Sequence, residues 1–252
     1  MQDLIPVSDA WIIPDWPAPP CVRALTTTRI GGISVSPFDT LNMARHVGDR
    51  AGSVAANRQW LHDSVGLSAQ PRWLRQAHGN QIVDAGVVSA PVEADGSYTR
   101  AADTVCVVLT ADCLPLLLCE RFGAAVAVAH AGWRGMAAGV VEAAVASLAP
   151  VAPDQLMAWL GPAIGPIAFV VKDEVRATFL AKDVAAAEAF HPVAGDRWQA
   201  DLYQLARQRL VACGVGGIHG GGFCTYTDEK RFYSFRRNKT TGRMATLIWI
   251  QS

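Results

Sequence analysis

Three stretches of the chain are apolar at almost every position: DTVCVVLT (103–110), LPLLLC (114–119) and AAVAVAH (124–130). Runs of this length, bounded by turn residues, predict buried strands. The second and third flank Glu120-Arg121-Phe122-Gly123, which predicts a hairpin. If it is symmetric about Arg121 and Phe122, Cys113 faces His130 directly; a bulge at Gly123 shifts the register by one residue. Either arrangement brings the thiol and the imidazole to the same sheet edge, with Cβ atoms roughly 5 Å apart when opposed.

Elsewhere the period changes. CVRALTTTR (21–29), WLRQAHG (73–79), QIVDAGVV (81–88), MAWL (157–160) and ATLIWI (245–250) are expected as strands, with a turn at Gly79-Asn80. Apolar residues at helical spacing predict helices over 51–66, 137–149, 173–181 and 200–214. Gly66 and Gly214 stand where a C-terminal cap belongs. Strands and helices intermix without a regular β-α-β rhythm, which favours an α+β fold.

Composition narrows the function classes. The 252 residues carry 22 basic and 22 acidic side chains and are 51% hydrophobic, so no charge excess steers the chain toward nucleic acid or an anionic membrane. The longest apolar stretch, 105–119, contains Asp112 and Pro115 and does not read as a membrane span. The opening MQDLIPVSDAWIIPDWP lacks the basic and apolar segments of a secretory signal. The six cysteines are dispersed, as reduced thiols of a cytoplasmic protein would be.

Three soft donors end strands or glycine turns: His78 in QAHGN, Cys113 in TADC and His130 in AHAGWRG. Their separations match no compact zinc motif. They suit either a metal with three protein ligands or a thiol with its base. A trinuclear copper centre is not encodable in a chain with six histidines and no His-x-His pair, although a His2Cys site can take copper adventitiously. Arg29 precedes Gly31-Gly32, and Arg134 lies in Gly-Trp-Arg-Gly before a helix, a setting that receives phosphate. The competing expectation pairs Arg134 with Asp112 or Asp103. SFRRNKTTGR, with Arg236, Arg237, Lys239 and Arg243, reads alone as a solvated basic loop.

Together TTRIGGIS, LNMARHVGD, QAHGN, ADTVCVVLTADCLPLLL, AHAGWRG, WLGPAIGP, CTYT and FYSFRRNKTTGRMA closely resemble the laccase-domain (YfiH-like) family, of polyphenol oxidase and purine nucleoside phosphorylase type. The resemblance implies one α+β domain over 1–252, with 1–20 as an extended lead-in, mixed sheets in the middle and helices outside. It implies a zinc site at His78, Cys113 and His130, with copper as the alternative. The implied activity is phosphorolysis of adenosine, guanosine, inosine and methylthioadenosine, with adenosine deamination. Purine nucleosides and inorganic phosphate are then the partners, and a monomer or weak homo-oligomer is expected. Cys113, His130 and Asp112 are the expected catalytic residues; Arg29, Asn42, Gln76, Asp95 and Arg134 are the expected contacts to nucleoside and phosphate. Asp112 and Asp95 are also the candidate acids for ammonia release. Val170, Gly222-Phe223 and Asn238 depart from the pattern of close bacterial relatives, where Glu, Asp-Arg and Asp stand. Three other readings compete: a Cys113–His130 thiol hydrolase or amidase editing peptidoglycan precursors, a copper-dependent polyphenol oxidase as the family's older label, and a binding module whose metal is structural, with Cys106 as fourth ligand.

Overall fold

A computed structural model describes residues 9–88 and 91–252. In chain order its strands are β1 (Trp11–Ile12), β2 (Val22–Thr27), β3 (Ile82–Asp84), β4 (Gly96–Thr99), β5 (Cys106–Thr110), β6 (Leu114–Glu120) and β7 (Val126–Ala131). They continue with β8 (Leu156–Leu160), β9 (Val170–Lys172), β10 (Phe190–Pro192), β11 (Arg197–Ala200), β12 (Gly217–Gly220) and β13 (Met244–Ile250). The helices are α1 (Ala51–Val65), α2 (Trp133–Ala138), α3 (Val140–Ser147), α4 (Asp173–Leu180) and α5 (Leu202–Ala212). None is long and apolar enough to cross a membrane.

A six-stranded sheet, β12-β8-β6-β7-β4-β3, packs face to face on a four-stranded sheet, β1-β2-β13-β5; β10-β11-β9 form a small third sheet. β12 with β8 and β3 with β4 run parallel, while the other pairs are antiparallel. The fold is α+β with mixed sheets inside and helices outside, as the sequence leads one to expect.

Burial on both faces explains the unbroken apolar runs. Leu114, Leu116 and Leu118 of β6 and Ala127, Ala129 and Ala131 of β7 face α2, α3 and α5. Leu117, Cys119, Val126 and Val128 face the other sheet, where they meet Cys106, Val108 and Ile248. Beyond that sheet Val107, Leu109 and Leu247 pack with Leu61 of α1. Each fully buried leucine contributes about 1.5–3 kcal/mol, so this double burial dominates the stability of the hairpin.

The hairpin forms with a register different from both expected ones. His130 pairs with Pro115 and Leu114 with Ala131; extending the ladder sets Cys113 level with Gly132. The loop is Arg121–Ala124, closed by the Glu120 N–H donating to Ala125 O at 2.9 Å. The buried Glu120 carboxylate accepts the N–H groups of Phe122 and Ala124, which fixes the loop one residue further along the chain. The slip is an even number of residues, so Cys113 and His130 keep the same face and become diagonal neighbours.

Three other expectations change. Residues 73–79 are irregular and not a strand, because Gln76 pairs its side chain with the backbone of Leu109 and His78 has φ 62°. The helix expected over 137–149 is divided at Gly139, whose φ of 99° ends α2 and begins α3. Helix α5 has Cys213 at its C-cap, with Gly214 next in line at φ 81°. The lead-in, where described, is tied down by β1 pairing with β2; residues 1–8 lie outside the described part.

Candidate metal centre

The inter-sheet space opens at the end of β5 and β7, and three donors converge there. One ligand atom each from His78, Cys113 and His130 lies within 4.8 Å of the others. His78 is exposed, Cys113 half-buried and His130 buried, so the group spans from solvent to core. The two imidazoles meet edge to face, 4.7 Å between centroids. Gly132 leaves room for the thiol: a Cβ there would lie 2.7 Å from Cys113 Sγ.

Asp95, placed just before β4, holds this group together. Its Oδ1 accepts from His130 Nδ1 at 2.8 Å and from the His78 N–H at 2.9 Å. Its Oδ2 accepts the N–H groups of Gly79 at 2.6 Å and Ala77 at 3.2 Å. Burial opposes ionisation of Asp95, but the hydrogen bonds from His130, Gly79 and Ala77 prevail and hold its pKa below the ordinary value. With Nδ1 donating to Asp95, His130 directs Nε2 toward the thiol, the orientation a metal ligand needs. Burial disfavours the Cys113 thiolate, yet the charge and hydrogen bonds of His130, with His78, bring the thiol down to about 6. Burial likewise disfavours charge on His130, and Cys113 with Asp95 raise it to about 9.

The donor set fits a metal ion. Two imidazoles and a thiolate around zinc sit about 3.5 Å apart, so closing the group on an ion takes side-chain shifts of about 1 Å. The three donors line a pocket, which would give a bound ion access to a ligand. Cys106 does not join the group: it is the first residue of β5, at the opposite end of that strand from the Thr110 side where the donors gather, and burial raises its thiol to about 12.

The pocket outside the centre has a volume of about 360 Å³, large enough for a small ligand. Arg134, Arg236, Lys239 and Arg243 line it together with Trp133, Phe169 and Phe235. The basic loop read as solvated thus forms a wall of the pocket; only Arg237 turns away, donating to the carbonyls of Thr225, Tyr226 and Phe232. Arg134 is exposed, its guanidinium 4.7 Å from the Trp133 ring centroid. It takes part in no ion pair among the described residues, so the expected partnership with Asp112 or Asp103 does not form.

The other expected contacts are committed elsewhere. Arg29 bonds Asp39 twice and lies over Tyr233, away from the pocket. Asn42 is buried between Ala44, Asp49 and the Arg243 N–H. Gln76 reaches the pocket wall, but its amide is bound to Leu109. Asp112 lines the pocket at φ 85°, with Oδ1 accepting from Thr225 Oγ1 and Oδ2 from the Arg236 N–H, both at 2.6 Å. Among the departures, Val170 offers its carbonyl to Arg236 Nη1 at 2.8 Å. Gly222 has φ 83°, where an aspartate would be strained, and Asn238 is exposed.

The family model described as "Multi-copper polyphenol oxidoreductase laccase" matches residues 23–251. The chain belongs to this family. It is 52% identical over 244 residues to a purine nucleoside phosphorylase of Pseudomonas aeruginosa, covering 96% of this chain and 99% of that one. Against the purine nucleoside phosphorylase YfiH of Escherichia coli the identity is 51%, covering 95% and 98%. The fold matches the crystal structure of a Neisseria meningitidis protein with a TM-score of 0.93 at 43% identity, covering 96% and 100%. YlmD from Geobacillus stearothermophilus matches with a TM-score of 0.88 at 29% identity, covering 99% of each chain. The family's copper description meets one three-donor group among the described residues, not a multicopper cluster.

Proposed function

We propose that the protein is a zinc-dependent purine nucleoside phosphorylase acting at the His78, Cys113 and His130 centre. The observation that carries this reading is the joining of that centre, in one pocket, to unpaired cations and aromatic rings. It is supported by relatives named purine nucleoside phosphorylase at about half identity. Bound there, zinc would supply Lewis acidity toward an oxygen of phosphate or ribose. Arg134 and Lys239, both exposed at the pocket, attract phosphate and hold it beneath the sugar carbon. Arg236 is clamped by Val170 O and lies over Phe169, which fixes its direction. Phe235 and Trp133 offer faces to the purine. A phosphate oxygen then bonds the anomeric carbon as the bond to the base nitrogen breaks, and the base leaves with the electron pair and takes up the proton that hydrogen phosphate gives up.

Asp112 and Asp95 do not suit the role of proton donor, because each oxygen of both carboxylates already accepts from the protein. Phosphorolysis is therefore favoured over deamination. The free thiols fit a cytoplasmic setting. The lowered Cys113 thiol beside His130 favours a second reading, a thiol hydrolase acting on an amide or ester, but His78 has no part in a two-residue mechanism.

Incubation of adenosine and inosine with and without phosphate tests the proposal. The expected result is free base with ribose 1-phosphate, only when phosphate is present, and loss of turnover on zinc removal with recovery on zinc addition. Full turnover in metal-free protein would overturn it in favour of the hydrolase. Arg134→Ala should raise the KM for phosphate about tenfold or more, the worth of a charge-assisted hydrogen bond, with zinc content unchanged. An unchanged phosphate dependence would remove Arg134 from the mechanism.

A further inference from the structure

The pocket of the metal centre shares His46, Gln76 and Leu109 with a second concavity of about 540 Å³. Gln76 is the partition between them. Its Nε2 donates to Leu109 O at 2.8 Å and its Oε1 accepts the Leu109 N–H at 2.7 Å. Beyond this partition the lining carries Arg45, His46, Arg58 and Arg75, and no aspartate or glutamate. Basic and acidic residues are equal in number over the chain, so the local excess is not a matter of composition.

Arg58 is held by the fold, Arg45 and Arg75 stand exposed at the rim, and all three are short of counter-charge. Arg58 lies 3.5 Å from the Trp73 ring centroid and donates from Nε and Nη2 to Met43 O at 2.9 and 2.7 Å. Its Nη1 has no protein partner among the described residues. No carboxylate among the described residues pairs with Arg45 or Arg58, and Arg75 meets only the exposed Glu93 at 3.3 Å. Burial, followed by the proximity of Arg45, pulls Arg58 down to about 9, as befits a desolvated cation facing another cation. A charge held this way is costly until an anion completes the site.

We propose that this second chamber is a phosphate-binding subsite contiguous with the metal-centre pocket, in which Arg45, Arg58 and Arg75 take the anion. The phosphate arrives either as the free ion or as a phosphoryl group on a nucleoside seated in the first pocket. The subsite goes beyond the phosphorylase reading and does not depend on turnover.

Calorimetric titration of the zinc-loaded protein with inorganic phosphate, adenosine and adenosine 5′-monophosphate tests it. The comparison uses the double variant Arg45→Ser/Arg75→Ser, both positions being exposed. For a tethered phosphoryl group, the monophosphate binds about tenfold or more tighter than adenosine, and the double variant erases the difference. For the free ion, monophosphate and adenosine bind alike, and the variant weakens inorganic phosphate by about the same factor. In both cases adenosine affinity is unchanged and Arg45→Lys/Arg75→Lys retains binding, because the charge is kept. Unaltered affinity for both phosphate probes in the serine variant overturns the proposal. So does an equal loss in the lysine variant, which would show a structural effect. Failure of wild-type phosphorolysis would strike the phosphorylase reading and leave these binding results standing.

Discussion

Asp95 accepts four hydrogen bonds, two on each oxygen, and every partner is a donor. That saturation gives an expected outcome for Asp95→Asn, a change that keeps volume and shape. Wherever the amide NH2 points, it meets two donors that then lose their acceptor. The variant should be less stable by about 2 kcal/mol and bind zinc 10- to 100-fold more weakly; chemical denaturation and competition with a zinc indicator measure both. Wild-type zinc affinity in the variant would show that the carboxylate does not orient His130. At this scale Cys113 and His130 are legible because they stand at the ends of apolar runs, whereas His78 follows an irregular segment and is marked only by the glycine turn beside it. Arg29 and Asn42 were expected in the site because glycine turns and motif membership suggest a ligand, whereas their side chains bond local backbone and Asp39 or Asp49. Arg236, Lys239 and Arg243 line the pocket with no sign of it in the sequence. A basic loop looks the same in sequence whether it faces solvent or folds back over a cleft, and the Asp112 contact to the Arg236 N–H that turns it inward leaves no periodic trace.

At the scale of elements, the hairpin shows how a correct pairing can carry a wrong register. Periodicity identifies β6 and β7 as buried but is blind to a slip of two residues, which preserves every face. Glu120, a buried carboxylate holding the loop N–H groups, decides the slip. The register sets Gly132 beside Cys113, where an added methyl would lie 2.7 Å from Sγ and 3.4 Å from the His78 ring. Gly132 has φ −65°, so alanine meets no backbone penalty there and the conflict is with the donors alone. Gly132→Ala should cost about 1–3 kcal/mol through overpacking and lower zinc occupancy while leaving α2 in place. Metal analysis with circular dichroism would show it; full occupancy would mean that the thiol has room to move aside. The division of the helix at Gly139 was not legible, since alanines and valines on both sides continue the helical pattern and one glycine is tolerated within it.

For the whole molecule, double burial of the central strands made the α+β class readable, while sheet order was not, because long-range pairings are chosen by complementary faces that a sequence does not display. The centre draws its donors from the loop before β3 and from both strands at the open end of the hairpin, so an ion there adds to the ties that Asp95, Gln76 and Asn80 already make between these parts. Zinc at one hundred times its dissociation constant would stabilise the folded state by about 2.7 kcal/mol. Chelation should then lower the unfolding midpoint by roughly 5–10 °C for a chain of this size, read by calorimetry with and without zinc. An unchanged midpoint would mean that no ion is held in the native state. The position of β13 has a different kind of consequence. The last strand in chain order lies between β2 and β5, and its flanking loop supplies Arg236 and Arg243 to the pocket. During translation β2 and β5 therefore emerge with open hydrogen-bonding edges long before their shared neighbour does. At a synthesis rate of about 5–20 residues per second, the wait is roughly 7–27 seconds for β5 and roughly 11–43 seconds for β2. In that interval the nascent chain has an incomplete sheet and a cleft lacking one wall, and both are completed only when β13 takes its place between its neighbours.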